Sequence, residues 1–248
     1  MDKERKFLEN LEREPQHNEI TVDFLRHGKT EYTDKGRDLT LQGEQQIRES
    51  AERIIETIDP KKETVVLWSS PAPRAQGSEE IIKEALAKRK IEVYKDSEIH
   101  TMRNFDQKDK EFMEKFLQEA AEKGISPDVF YAQQKRGKNE KFETQEEVRK
   151  RMERVFNWIR HLAEHANLQG RKLHIIGVSH FEFLNPLIKD IFGYEAERGE
   201  SVTFGEIIKV NFDYNSANKE MSISAEFRGQ RKDNIIFDKE KRKFIYGK

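Results

Sequence analysis

The sequence predicts an α/β fold, in which a mostly parallel sheet lies between helices on both faces as a three-layer sandwich. Short apolar runs alternate with amphipathic helical patterns through the first hundred residues, as in strand–helix–strand units. Two segments of alternating hydrophobicity near the C-terminus predict a hairpin that extends the sheet. The 248 residues suffice for one sizeable core, so we expect a single domain spanning residues 1–248.

The first half of the chain shows the parallel pattern. Isoleucine and alanine recur after Thr40 at three- and four-residue spacing, which places them on one face of a helix. Thr40 is a suitable N-cap for this helix. Proline comes after this helix and also after the second apolar run. The predicted elements are, in order, a strand at 20–25, a helix at 40–58, a strand at 64–68, a helix to about 89 and a strand at 91–94.

The rhythm changes between residues 106 and 142, where a helical apolar stripe lies in a charged sequence. A helical insertion packed on the surface is the simpler interpretation of this segment, and a mobile lid is the alternative. Beyond it, the pattern predicts a long helix at 145–166 and a buried strand at 172–178.

Both ends of the chain are less clearly patterned. The segments 206–212 and 221–227 form the predicted hairpin, within a β-rich tail that starts at about 201. Residues 228–248 fit either a further short strand pair or an arm, and residues 1–18 fit either a short surface helix or a disordered arm.

Composition excludes several classes of function. The 46 basic and 47 acidic residues are interspersed, which argues against a nucleic-acid surface. The absence of cysteine excludes disulfides, thiolate metal sites and a cysteine nucleophile. No apolar run has the length of a signal peptide or membrane span. We therefore expect a cytoplasmic protein, monomeric or homodimeric, without a membrane partner, metal or cofactor.

The first strand ends in Arg26, His27 and Gly28, and this ending suggests phosphoryl chemistry. A guanidinium offers a planar fork of donors suited to phosphate, and a neutral imidazole can act as a nucleophile. Ligands of open α/β sheets bind at such carboxyl ends of strands. One short motif occurs by chance in many chains, so its weight depends on further segments downstream in the chain.

Four segments together resemble the histidine phosphatase superfamily, the phosphoglycerate-mutase-like enzymes. Arg26-His27-Gly28-Lys29-Thr30 resembles its opening motif, and Leu39-Thr40-Leu41-Gln42-Gly43 resembles its Leu-Thr-x-x-Gly segment. Ser69-Ser70-Pro71-Ala72-Pro73-Arg74-Ala75 and Gly177-Val178-Ser179-His180 come next, in the family's order. The resemblance implies that a helical insertion lies over the mouth of the active site.

The resemblance also implies roles for individual residues. His27 would take up the phosphoryl group, Arg26 and Arg74 would bind its oxygens, and Thr30 and His180 would complete the phosphate site. His27 needs a hydrogen-bond acceptor behind its ring, for which we expect a backbone carbonyl. Two nearby guanidinium groups should lower the pKa of His27 and favour the neutral nucleophile.

The sequence leaves the general acid open. The main branch of the family places a glutamate after the third strand, and one alignment puts Met102, which cannot donate a proton, at that position. A shifted register offers Glu98, and Asp106 is a third option. Glu182 resembles the other branch, in which the acid comes just after the second histidine. We rank Glu98 and Glu182 level, ahead of Asp106.

The resulting expectation is a phosphatase that acts on a phosphorylated small molecule. A mutase is less favoured because Thr33 stands where the family usually has asparagine. A catalytically weak member that binds phosphorylated ligands is the alternative from another class. His161 and His165 have the spacing of metal ligands on a helix, but we interpret them as surface residues.

Overall fold

A computed structural model describes residues 17–30, 39–103, 110–125, 129–130, 143, 145–168, 170–238 and 243–246. Thr33 and Asp106 lie outside the described residues, as does the N-terminal segment 1–16. No described helix combines the length and the apolar character needed to cross a membrane.

A mixed seven-stranded sheet forms the centre of the fold, in the order β3-β2-β4-β1-β5-β6-β7. The first four strands are parallel and the last three are antiparallel to their neighbours, which confirms the predicted α/β fold and hairpin. The strands are β1 (His17–Arg26), β2 (Glu63–Ser69), β3 (Val93–Glu98), β4 (Lys172–Ser179), β5 (Ile207–Asn215), β6 (Glu220–Phe227) and β7 (Gln230–Lys232).

Helices cover both faces of this sheet. The α-helices are α1 (Leu41–Ile55), α2 (Pro73–Lys88), α3 (Lys110–Glu122), α4 (Gln145–His165) and α5 (Phe181–Phe192). As predicted, Thr40 caps α1, because its side chain accepts a hydrogen bond from the amide of Gly43. One apolar core lies between the sheet and α1 and α2, and another lies between the sheet and α4 and α5.

The third strand differs from its sequence prediction, and the structure decides between the two predictions for the C-terminal tail. The sequence predicts the third strand at 91–94, but α2 ends in a turn in which Lys90 has a φ of 59° and the Ile91 amide donates to Leu86. β3 therefore starts at Val93 and runs to Glu98. The tail beyond β7 adopts the strand pair rather than the arm, with β8 (Ile235–Asp238) antiparallel to β9 (Lys243–Tyr246).

The strand order brings three predicted site segments together at the carboxyl ends of the parallel strands. β4 lies between β1 and β2, and Arg26 is in register with Ser179. His27 and His180 therefore lie just beyond the carboxyl ends of adjacent parallel strands, and Ser70 lies beyond the end of the next one. β3 is an edge strand, so three strand spacings of about 4.8 Å separate it from β1.

A buried charged cluster lies within the sheet. His174 Nε2 is 2.8 Å from Asp23 Oδ2 and His174 Nδ1 is 2.8 Å from Glu63 Oε2. Lys209 Nζ lies 3.9 Å from Asp23 Oδ1. Burial disfavours the imidazolium, but the two carboxylates outweigh it and raise the pKa of His174 above 6.5.

We expect His174→Ala to lower the free energy of unfolding by about 3–5 kcal/mol near pH 6, because it leaves the buried Asp23 carboxylate without its close partner. Because the pKa of His174 is raised in the folded state, its protonated form stabilises the fold below pH 6.5. This stabilisation is lost as pH rises through the folded-state pKa. The loss measured by urea unfolding should therefore be smaller at pH 9 than at pH 6. An equal loss at both pH values would contradict a charged His174.

Candidate active site

The site begins at the end of β1, where backbone hydrogen bonds fix Arg26 and His27. The amide of His27 donates to Ser179 O at 3.0 Å, and the amide of Arg26 donates to Glu206 O at 3.3 Å. Both side chains are buried, at 5% and 3% exposure. The sheet thus holds the Arg26 guanidinium and the His27 imidazole away from bulk water.

Hydrogen bonds define the tautomer of His27. Nδ1 lies 2.8 Å from Gly28 O, and because a carbonyl can only accept, Nδ1 carries the proton. Arg74 Nε donates to His27 Nε2 at 3.2 Å, so Nε2 carries the lone pair. The expected backbone carbonyl acceptor is confirmed, and the unprotonated nitrogen is the one beside the second arginine.

Two glycines allow the loop after His27 to pack against the start of α1. A Cβ on Gly28 would lie 2.3 Å from Gly43 O, and a Cβ on Gly43 would lie 2.1 Å from Lys29 O. Both backbones are in contact, so any larger residue would separate them. Thr30 continues this loop and forms an isolated antiparallel bridge with Leu39.

Arg74 comes from the first turn of α2, which begins at Pro73. Ser78, one turn further on, accepts a hydrogen bond from the Gly28 amide at 3.2 Å and donates to Arg74 O at 2.8 Å. This residue links the helix to the loop that comes after His27. The arginine and the imidazole are therefore positioned relative to each other by backbone contacts as well as by their own hydrogen bond.

His180 lies beside His27, with their ring centroids 5.0 Å apart. Its Nε2 lies 2.7 Å from Ser70 Oγ, and its buried Nδ1 has no hydrogen-bond partner among the described residues. Ser70 Oγ also accepts from the Ala72 amide at 3.3 Å. A serine that donates its proton to Nε2 leaves the His180 proton on Nδ1, as a donor for a ligand.

Burial and neighbouring cations keep both imidazoles neutral. Burial, then Arg74 and Arg26, holds the pKa of His27 well below its usual value of 6.5. Burial, then Arg74 and the neighbouring His27, lowers the pKa of His180 in the same direction. The expected effect of the guanidinium groups on His27 is confirmed, although burial is the larger cause.

Aromatic side chains surround Arg26, and the sequence analysis did not identify them. The Arg26 guanidinium carbon lies 3.9 Å from the ring centroid of Phe204 and 4.9 Å from that of Phe181. The Phe204 ring also lies 5.6 Å from the His27 ring. A phenylalanine directly before Gly205, where a strand is about to begin, was the available signal.

A known protein family matches most of the chain. The model of the histidine phosphatase superfamily (branch 1) matches residues 22–221, which include all four predicted segments. The chain belongs to this superfamily. No individually curated protein matches the sequence.

Solved structures share the fold of this chain at low sequence identity. Phosphoglycerate mutase from Bacillus anthracis str. Sterne is 14% identical with a TM-score of 0.55, and the match covers 86% of this chain and 94% of that one. Mycobacterial glucosyl-3-phosphoglycerate phosphatase is 12% identical with a TM-score of 0.54, covering 84% and 98%. At these identities the likeness concerns the fold.

The candidate acids lie in different surroundings. Glu98 ends the edge strand with 41% of its side chain exposed, accepts a hydrogen bond from Gln76 at 2.7 Å and lies 3.1 Å from His100. Its role as the acid stays a prediction. Glu182 is buried in the first turn of α5, two residues after His180. Met102 is in the core beside Gly177.

Parts of the insertion contact the site through Phe181. Phe116, Ala120 and Phe130 form a small buried cluster with this residue, which also contacts Arg26. The described part of the insertion thus packs next to Phe181, which lies against Arg26. That the insertion lies over the mouth of the active site stays a prediction.

Arg151 holds the base of the insertion, and sequence reasoning missed it. Its guanidinium donates to Thr101 O at 2.7 Å, to Arg103 O at 2.9 Å and, through two bonds of 2.6 and 2.7 Å, to the Glu143 carboxylate. Residues on both sides of the insertion are therefore tied to α4. An arginine on the apolar face of a predicted helix was the signal available.

The helical histidine pair lies outside this site. His161 and His165 have ring centroids 4.1 Å apart, and the Glu164 carboxylate joins them, so that one ligand atom from each lies within 4.8 Å of the others. Both histidines are exposed on α4, as expected for surface residues.

Proposed function

We propose that the protein is a phosphatase that hydrolyses a small-molecule phosphomonoester through a phosphohistidine intermediate on His27. The observation that carries this proposal is the tautomer of His27. Its lone pair is on Nε2, beside the Arg74 guanidinium, and its proton is held by Gly28 O. A neutral nucleophile next to a cation is what attack on a phosphate dianion requires.

The first step forms a bond between His27 Nε2 and phosphorus as the bond from phosphorus to the ester oxygen breaks. The alcohol leaves with a proton from a carboxylic acid. In the second step water attacks phosphorus, its proton returns to the carboxylate, and the nitrogen–phosphorus bond breaks to release inorganic phosphate. Both steps take place beside the guanidinium groups of Arg26 and Arg74. The second step frees His27 Nε2, so the enzyme is regenerated.

Three side chains are proposed to bind the phosphoryl oxygens. Arg26 and Arg74 supply charge and donors, and no metal ion is needed for this role. His180 donates through Nδ1, the buried atom that lacks a hydrogen-bond partner in the described structure. All three surround the nucleophile, so their hydrogen bonds can strengthen as charge spreads over the oxygens in the transition state.

The test is the release of inorganic phosphate from a panel of alkyl phosphomonoesters. The same preparation is offered 2- and 3-phosphoglycerate, and their interconversion is measured by NMR. Release of phosphate without interconversion supports the phosphatase. Interconversion without release would replace the proposal with a phosphoglycerate-mutase-type phosphotransfer.

A catalytically weak protein that binds phosphorylated ligands is the second candidate. It is favoured by Glu98, a candidate acid whose carboxylate is exposed, accepts a hydrogen bond from Gln76 and lies near His100. An activated ester with a good leaving group does not discriminate, because it barely needs an acid. Turnover of an alkyl phosphate that is lost on His27→Ala would exclude this candidate.

We expect His27 to stay neutral well below pH 6.5 in the empty enzyme, because burial, Arg74 and Arg26 all disfavour its charged form. The measurement is an NMR titration of the imidazole Cε1–H signal, assigned by its loss in His27→Gln, with free histidine in the same buffer as the reference. A His27 titration at the pH of free histidine would contradict the proposed nucleophile.

A further inference from the structure

The turn before β5 is held rigidly against the site. Gly205 has a φ of 71°, its amide donates to Arg26 O at 3.0 Å, and Ser50 Oγ lies 2.5 Å from its carbonyl oxygen. The carboxylate of Glu206 accepts hydrogen bonds from the backbone and the hydroxyl of Thr203, at 2.8 and 3.1 Å. The turn therefore has bonds both within itself and to β1.

A salt bridge fixes the same turn from its other side. Arg228 donates to the two carboxylate oxygens of Glu206 at 2.6 and 2.9 Å, and to Ser201 O at 2.9 Å. A two-pronged guanidinium contact of this kind fixes orientation as well as distance. These bonds fix the backbone on both sides of Phe204, the residue within the turn.

Phe204 contacts the two residues that the proposed reaction needs most. Its ring centroid lies 3.9 Å from the Arg26 guanidinium carbon and 5.6 Å from the His27 ring centroid. The faces of a guanidinium form no hydrogen bonds, and its N–H groups lie along its edge. A ring against one face therefore does not obstruct the edge, from which Arg26 Nη1 donates to Val202 O at 2.8 Å.

We propose that Phe204 is a positioning residue for the phosphohistidine reaction, which orients the Arg26 guanidinium toward the phosphoryl oxygens and keeps water away from His27. This inference rests on the proposed function. Phe181, at 4.9 Å from the guanidinium carbon, supports the same orientation from the first turn of α5. Phe204 lies outside the four sequence segments that predicted the site.

The activity test compares Phe204→Ala and Phe204→Leu with Phe204→Tyr. Because a displacement of about 1 Å at a reacting group costs on the order of 10²-fold in rate, we expect the first two variants to lower kcat/KM for an alkyl phosphate by about 10- to 100-fold. Tyrosine keeps the ring and should remain near the parent value. Phe237→Ala is the matched control, since Phe237 packs on Phe244 in the C-terminal strand pair.

A second readout does not depend on turnover. The charged and titratable side chains around His27 include Arg26, Arg74 and His180. Burial is nevertheless the largest cause of the low pKa of His27. Water admitted by Phe204→Ala should therefore raise the pKa of His27 toward 6.5, seen in the imidazole NMR titration. Binding of inorganic phosphate, measured by calorimetry, should weaken in the same variant.

The outcomes separate the two proposals. If the parent hydrolyses no alkyl phosphate, the proposed function fails, and the titration and phosphate binding still decide the role of Phe204. If Phe204→Ala does not fold, as judged by thermal unfolding, Phe204→Leu keeps the apolar volume and is measured in its place. An unchanged His27 titration and unchanged phosphate affinity in the folded variant would overturn the inference.

Discussion

Replacing His27 with alanine is expected to reduce the turnover of an alkyl phosphomonoester by on the order of 10⁴-fold or more, because the nucleophile is lost and the remaining groups act only with it. His27 Nε2 is the atom that would bond to phosphorus, and no described side chain replaces it at that position. The same variant should form no acid-labile phosphoenzyme. Rapid quenching with a ³²P-labelled substrate, and then electrophoresis at alkaline pH, measures this species.

The matched control for this change is His161→Ala. His161 is an exposed histidine on α4, so its loss removes an imidazole without altering the site. It should hydrolyse the substrate and form the phosphoenzyme at parent levels. Persistence of the labelled species in His27→Ala would show that another residue accepts the phosphoryl group, and the proposed mechanism would then be wrong.

Replacing Glu182 with glutamine is expected to slow alkyl phosphate hydrolysis by about 10²- to 10⁴-fold, because an alkoxide is a poor leaving group unless an acid protonates it. The cost should be much smaller for a nitrophenyl ester, whose leaving group is stable as an anion. The variant should also lose the basic limb of the pH profile. The measurement is kcat/KM for both esters between pH 5 and pH 9.

Glu98→Gln is the matched control, because it makes the same change on the edge strand. Glu98 is bound to Gln76 and partly exposed, whereas Glu182 is buried in the first turn of α5, two residues after His180. We expect Glu98→Gln to hydrolyse both esters near the parent rate. If Glu182→Gln does so as well, neither residue is the acid, and Asp106 or a group of the substrate must be tested.

The sequence predicted the parts of the site that local chemistry determines. Gly28 and Gly43 each belong to one of the predicted motifs. The structure gives the reason for both glycines, since the backbone contact between them leaves no room for a side chain at either position. Thr40 was visible as a helix cap, since capping depends on residues three positions apart. Arg26 and His27 were predicted because they follow an apolar strand, and Arg74 and His180 were predicted from the segments that resemble the family.

Other features required the tertiary structure because they depend on residues far apart in the chain. Phe204 meets Arg26 only because β5 pairs with β1, and Arg151 reaches Thr101 only because α4 packs beside the end of β3. The same holds for the C-terminal strand pair, since the sequence of a short strand does not specify its partner.

The sequence by itself determined the fold class, the order of the site segments and the residues suited to bind and accept a phosphoryl group. The tertiary structure decided which nitrogen of His27 holds the lone pair, because that depends on Gly28 O behind one nitrogen and Arg74 beside the other. It also decided the surroundings of Glu98 and Glu182, which spacing left level. Burial and hydrogen-bond partners are properties of the packed chain, so a linear pattern specifies them only where the partners are neighbours in sequence.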